Sequence, residues 1–193
     1  MTKQKLKKAL QEDTAGIHPR LQLAFGLLKF LPFLPCATLL RLAGAAVGEA
    51  TVVRHGIRLN GQRGLAKNLK IGPKCHIEPG CTFDLQEKII LGAGVCVGHE
   101  TMILTSSHQI GPKEHRAGEL VIAPVVIEDG AWIGARSVLL PGITIGAGAL
   151  VSPGSLVNKD VAPHTHIGGT PVKHIANLDK LVHLDEDPQE RAT

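Results

Sequence analysis

The sequence predicts an all-β chain wound as a three-sided coil of short parallel strands, one rung for every six residues. Three observations carry this. Aliphatic residues recur at each sixth position through Ile127, Ile133, Leu139, Ile145, Val151 and Val157, and the same phase runs back through Ile103, Val97 and Leu91. Glycines are locked to that period, since Gly72, Gly92, Gly98, Gly134 and Gly146 each directly follow a rung residue. Four residues after a rung the side chain is small, as at Cys75, Cys81, Thr101, Ser107, Ala131, Ser137, Ala149 and Ser155. A helix of period 3.6 or an alternating strand explains none of this. A prism does: the aliphatic residue points inward, the small one fits beside it, and glycine relieves the tight corner. Three hexapeptides, about 18 residues, close one turn, and stacked turns share a continuous apolar core.

The elements follow in order. Residues 1–50 form an amino-terminal arm, with Lys3, Lys5, Lys7 and Lys8 near its start and an apolar stretch over 21–47. Lys29 and Arg41 interrupt that stretch, and Pro32 and Pro35 break it, so it falls short of the roughly 20 continuous apolar residues of a membrane span. It reads as a short helical arm packed over the core, or as a helix in peripheral contact with a membrane surface. Residues 51–172 form the coil. Its first rungs are Val53, Leu59, Leu65, Ile71, Ile77 and Phe83, displaced by two residues from the later series, which places an insertion at one corner over 85–90. A polar loop over 105–124 leaves the stack and rejoins it in register. Residues 173–193 close the chain with a short helix, within 172–184, and the acidic tail Asp185-Glu186-Asp187.

Composition narrows the function. Aromatics at 3% are too few for stacking on single-stranded nucleic acid, and a net charge of +4 is too small for a phosphate-binding surface, so no nucleic-acid partner is expected. Cys36, Cys75, Cys81 and Cys96 lack any C-x-x-C spacing, so neither a zinc knuckle nor a redox pair is indicated. The basic start is followed by Gln11-Glu12-Asp13 rather than an apolar run, so no cleavable signal is seen, and the expected location is cytoplasmic, with the inner membrane surface as the variant.

The run Ser106-Ser107-His108, then Pro124-Val125-Val126-Ile127, Ala131-Trp132-Ile133-Gly134-Ala135 and Leu140-Pro141-Gly142-Ile143-Thr144-Ile145-Gly146, resembles the signature of the hexapeptide-repeat sugar O-acetyltransferases. Within that group it is most similar to the maltose/galactoside and colanic-acid-biosynthesis-type acetyltransferases. The stretches Val157-Asn158-Lys159-Asp160-Val161-Ala162-Pro163 and Gly168-Gly169-Thr170-Pro171-Val172-Lys173 fit the family's closing motif. The resemblance covers roughly 53–175 and implies a left-handed parallel β-helix, a homotrimer, and acetyl-CoA as donor, with no metal.

The resemblance implies His108 as catalytic base. A neutral imidazole at the start of a loop, on a rigid strand end, can take a hydroxyl proton while the oxygen attacks a thioester. By family position Ala135 and Pro153 would line the pantetheine, Asn158 and Lys159 its outer part, and Lys173 would reach the nucleotide phosphates. Trp132 either packs on substrate or cofactor or fills a subunit interface. Asp84 either binds sugar hydroxyls or caps a turn. Glu78 stands where many relatives carry an asparagine facing the acceptor, Gln109 where proline often follows the histidine, and Ala135 where serine is common. These departures leave fold and donor intact and bear on the acceptor, a sugar or glycan intermediate.

Two other readings compete. A γ-carbonic-anhydrase-like hydratase would need three histidines on zinc, for which His76, His108 and His115 are the available set. A non-catalytic prism serving in assembly would need no base at all. Serine as acceptor is disfavoured, because the serine acetyltransferases carry a much longer helical amino-terminal domain.

Overall fold

The computed structural model describes residues 36–61 and 65–179. The chain winds as a left-handed parallel β-helix with three sheets. The first sheet stacks Ala46–Val47, Leu69–Ile71, Ile89–Leu91, Val125–Ile127 and Thr144–Ile145. The second stacks Val52–Val53, His76–Ile77, Cys96–Val97, Trp132–Ile133, Leu150–Val151 and Thr165–Gly168, and the third Arg58–Asn60, Thr82–Asp84, Met102–Ile103, Val138–Leu139 and Leu156–Val157. Rungs are in register, so Ile71 lies under Leu91, Leu91 under Ile127, and Ile127 under Ile145. Each of these rung residues, and every other from Ile71 to Val157, is at most 2% exposed. They form one aliphatic column.

The corners explain the glycines differently from the sequence expectation. Gly72, Gly92, Gly98, Gly134 and Gly146 do not carry the bent backbone. A Cβ at Gly72 would lie 2.4 Å from the Gly92 carbonyl oxygen, and one at Gly134 would lie 2.4 Å from the Pro153 nitrogen. These glycines let one coil sit on the next. The left-handed conformation falls two residues later, at Lys74 (φ 59°), Glu100 (φ 58°) and Arg136 (φ 58°), and at glycines such as Gly94 and Gly154 in the same corner position. The small residues behave as expected: Thr101, Ser137 and Ser155 are buried and donate to the Gly98, Gly134 and Ser152 carbonyls at 2.9, 2.8 and 2.6 Å. Each hydroxyl satisfies a carbonyl that its own corner turns inward. Ser107 departs from this, since it is exposed outside the stack.

Leu65 is not a rung. It begins a 3-10 turn over Leu65–Asn68, between the rungs Leu59 and Ile71, because an insertion one hexapeptide long keeps the sequence phase while skipping a face. The two-residue insertion after Asp84 is where it was expected. The segment over 105–124 is a β-hairpin, Ser106–Ile110 paired antiparallel with Ala117–Ile122. All three irregularities leave from one corner, where the third sheet hands over to the first.

Both ends are closed. The helix Cys36–Leu42 buries Cys36, Ala37, Leu39 and Leu40 in the core and ends at Gly44 (φ 101°). Its Arg41 donates to the Val47 and Gly48 carbonyls, tying it to the first rung. Of the stretch 21–47, expected as a packing arm or a membrane-surface helix, the part over Cys36–Leu42 packs on the core, and residues 1–35 lie outside the described residues. At the other end the expected helix is replaced over Lys173–Asn177 by a strand, antiparallel to Thr165–Gly168. The last coil would otherwise present an unpaired sheet edge, and a returning strand takes up those hydrogen bonds where a helix could not. Residues 180–193 lie outside the described residues.

Candidate active site

His108 sits in the first strand of the hairpin and is exposed. Its Nδ1 lies 2.8 Å from the Gly118 carbonyl oxygen on the returning strand. A carbonyl only accepts, so Nδ1 carries the proton and donates it. The lone pair of the neutral ring is then on Nε2, which is the form a general base requires.

Asp84 anchors the hairpin to the prism. It ends a strand of the third sheet, is buried, and its Oδ2 accepts from the Thr105 backbone N–H at 3.2 Å and from the Ser106 hydroxyl. Thr105 is fully buried beside it; its hydroxyl donates to the Asp84 carbonyl at 2.6 Å and accepts from the Glu87 N–H at 3.0 Å. Oδ2 of Asp84 thus holds the start of the hairpin at Ser106, two residues upstream of His108, as the turn-capping alternative describes.

The remaining candidates fall on two edges of the prism. Ala135 and Pro153 occupy adjacent coils at the corner after the second sheet, where the Gly154 N–H donates to the Ala135 carbonyl at 2.8 Å. Ala135 is half-buried and Pro153 exposed, which leaves a shallow wall with no long side chain. Lys173 is exposed and pairs with Gly168 above that same corner. Asn158 and Lys159 are exposed at the other corner, after the third sheet, on the edge from which the hairpin springs. Trp132 lies on the outer face of the second sheet between Cys96 and Leu150 and is 54% exposed.

Glu78 does not meet His108 within one chain. It is half-buried at the corner after the second sheet, with Oε2 3.5 Å from His99 Nε2. One coil further, Arg136 Nε lies 2.8 Å from Glu100 Oε2. Sequence reasoning assigned no role to Arg136, Glu100 or His99. Their shared corner becomes visible only when hexapeptides are assigned to faces through the insertions.

The four thiols are poor nucleophiles. Burial pushes the Cys81 thiol up to about 11 and raises those of Cys36, Cys75 and Cys96 as well. Nor do the histidines of the hydratase reading converge: His76 is on the second sheet, while His108 and His115 belong to the hairpin segment. Among the described residues no three His, Cys, Asp or Glu side chains form a cluster able to hold a metal ion.

Comparison with known proteins agrees with the fold. Residues 124–159 match the family described as bacterial transferase hexapeptide (six repeats). A hexapeptide-repeat-containing acetyltransferase from Vibrio cholerae, solved in complex with acetyl coenzyme A, is 31% identical, with a TM-score of 0.71 over 82% of this chain and 87% of that one. A maltose O-acetyltransferase from Clostridium difficile is 26% identical, with a TM-score of 0.68 over 82% of this chain and 86% of that one. YvoF of Bacillus subtilis, named by inference as an acetyltransferase, is 38% identical over 105 residues, 54% of this chain and 53% of that one. The chain spans about half the length of the curated relatives it matches.

Proposed function

This chain belongs to the hexapeptide-repeat acetyltransferases, and from that premise we propose that it transfers an acetyl group from acetyl-CoA to a hydroxyl of a sugar or glycan-biosynthesis intermediate, with His108 as general base. The observation that carries this reading is the hydrogen bond from Nδ1 to Gly118, which leaves an exposed Nε2 as acceptor. In the proposed step Nε2 takes the proton of the acceptor hydroxyl as the oxygen attacks the thioester carbonyl. The CoA thiolate then leaves and recovers a proton from the imidazolium. A thiolate is already a good leaving group, so no acyl-enzyme is needed, and four thiols held in their neutral form support direct transfer.

Donor binding would use both edges of the prism. Ala135, Pro153 and Lys173 lie along one, and His108, Asn158 and Lys159 along the next. A single extended donor touching both sets calls for a second copy whose corner covers this chain's hairpin edge, which supports a homotrimer. The small side chains of the first edge suit a pantetheine arm, and the Lys173 ammonium suits a phosphate at the surface.

The test is thiol release from acetyl-CoA across a panel of free sugars, nucleotide sugars and lipid-linked glycans. Transfer to at least one hydroxyl acceptor is expected, and His108→Ala should lower it by roughly 10²–10⁴-fold, the range of a lost general base, while leaving the oligomer intact. Undiminished transfer in His108→Ala would overturn the assignment.

A further inference from the structure

The hairpin pairing is regular at its root and breaks at the imidazole. Ser106 faces Ile122, Ser107 faces Val121 and His108 faces Leu120, but Ile110 faces Ala117. Gln109 is therefore opposed by two residues, Gly118 and Glu119. The extra residue is a β-bulge on the returning strand, and bulges re-aim groups that a regular ladder would consume. Here the group is the Gly118 carbonyl, which the His108 Nδ1–H meets at 2.8 Å.

Position 118 is also tight for a side chain. A Cβ there would lie 3.0 Å from the Gln109 carbonyl oxygen and 3.2 Å from the Cα and nitrogen of Gly111. Gly111 is confined more tightly, since its own Cβ would lie 2.3 Å from the His115 carbonyl oxygen and 3.2 Å from the Gly118 Cα. The two arms of the hairpin thus touch backbone to backbone, glycine on glycine, two residues beyond Gln109. That contact fixes the height of the Gly118 carbonyl against the ring.

We infer that the bulge at Gly118, seated on Gly111, is the positioning element of the active site: it sets which nitrogen of His108 holds the proton and where Nε2 points. This rests on His108 being the base. Gly118 touches neither substrate nor reacting atoms; it acts through the imidazole. As the ring becomes an imidazolium, Nδ1–H stays directed at the carbonyl oxygen, which stabilises the added charge without any movement of the chain.

The experiment uses the full chain labelled with ¹⁵N-histidine. Long-range ¹H–¹⁵N spectra at alkaline pH, with the His108 signals identified by their loss in His108→Ala, should show Nδ1 protonated and Nε2 bare. An Nε2–H ring in the unsubstituted protein would overturn the inference, and this measurement stands even if a glycine variant fails to fold. Gly118→Ala, checked for unchanged circular dichroism, should lose the single tautomer. It should also lower kcat by roughly tenfold to a hundredfold, the scale of a sub-ångström misplacement, with KM for acetyl-CoA unchanged. Retention of both tautomer and kcat in Gly118→Ala would sink it. The two readings fail separately: an active His108→Ala removes the base itself, whereas an inactive His108→Ala beside a fully active Gly118→Ala removes only the bulge's role.

Discussion

Gly72 and Gly94 lie at the same corner of neighbouring coils and are held as glycine by different forces, so the same substitution at each should have unequal effects. At Gly94 the φ of 66° is the only obstacle, because an added Cβ meets nothing within 4 Å. An L-residue there costs roughly 1–2 kcal/mol. Against this, alanine removes about 0.4–1 kcal/mol of unfolded-chain freedom. Gly94→Ala should therefore destabilise by only about 1 kcal/mol. At Gly72 the Cβ would lie 2.4 Å from the Gly92 oxygen, 2.5 Å from the Gly92 carbon and 2.8 Å from the Ala93 nitrogen, all backbone. The coils would have to part by about 1 Å to restore ordinary contact, in a core packed like an organic crystal. Three hydrogen bonds meet at that crossing: Gly72 N–H to the Leu91 carbonyl at 2.8 Å, Thr51 hydroxyl to the Gly72 carbonyl at 2.7 Å, and Cys75 thiol to the Gly92 carbonyl at 3.0 Å. Overpacking of roughly 1–3 kcal/mol, with about 1 kcal/mol for each of the three weakened bonds, gives Gly72→Ala a cost of about 4–6 kcal/mol. Urea unfolding followed by far-UV circular dichroism, at one protein concentration, measures both. Equal losses, or a larger loss at Gly94, would refute the reasoning that coil contact rather than backbone angle selects glycine after each rung.

Two further outcomes are expected. A Cys81 thiol raised from 9.0 to about 11 binds its proton more tightly folded than unfolded, so its contribution to stability is whole below about pH 9 and is lost as pH rises toward 11; the melting temperature should fall across that window, and less steeply in Cys81→Ala. Asp84→Asn replaces a charged acceptor of the Thr105 N–H and Ser106 hydroxyl by a neutral one, which should cost about 2 kcal/mol and lower kcat for acetyl transfer while the prism's circular dichroism stays unchanged; a variant as fast and as stable as the parent would remove Asp84 from the support of the hairpin.

The prism was legible because its period is enforced by burial: a polar residue at Ile133 or Leu139 would enter a column with no solvent. The positions where the reading failed are those where period alone is ambiguous. Leu65 kept the phase because its insertion is one hexapeptide long, and only the pairing of Leu69–Ile71 with Ala46–Val47 and Ile89–Leu91 shows the skipped face. The glycine after each rung was recognised, but its reason is a distance to the next coil, which no single coil contains. The strand at Lys173–Asn177 answers an open sheet edge, a tertiary demand that local sequence does not announce. At the candidate site, His108 was singled out by the family resemblance together with its place at the start of the excursion. Gly118 did not, because a bulge depends on how two strands align and not on either strand's composition.

Among the described residues the irregularities between one parallel rung and the next fall at one arris of the prism, after Leu59, Phe83, Ile103 and Val157, while the other two arrises climb without interruption up to the closing strand. Two straight arrises hold successive coils in one fixed register. The third can lengthen, shorten or sprout a projection by whole coils without disturbing anything stacked above or below. New substrate preference can therefore accumulate along that single seam, while the scaffold beneath it is left untouched.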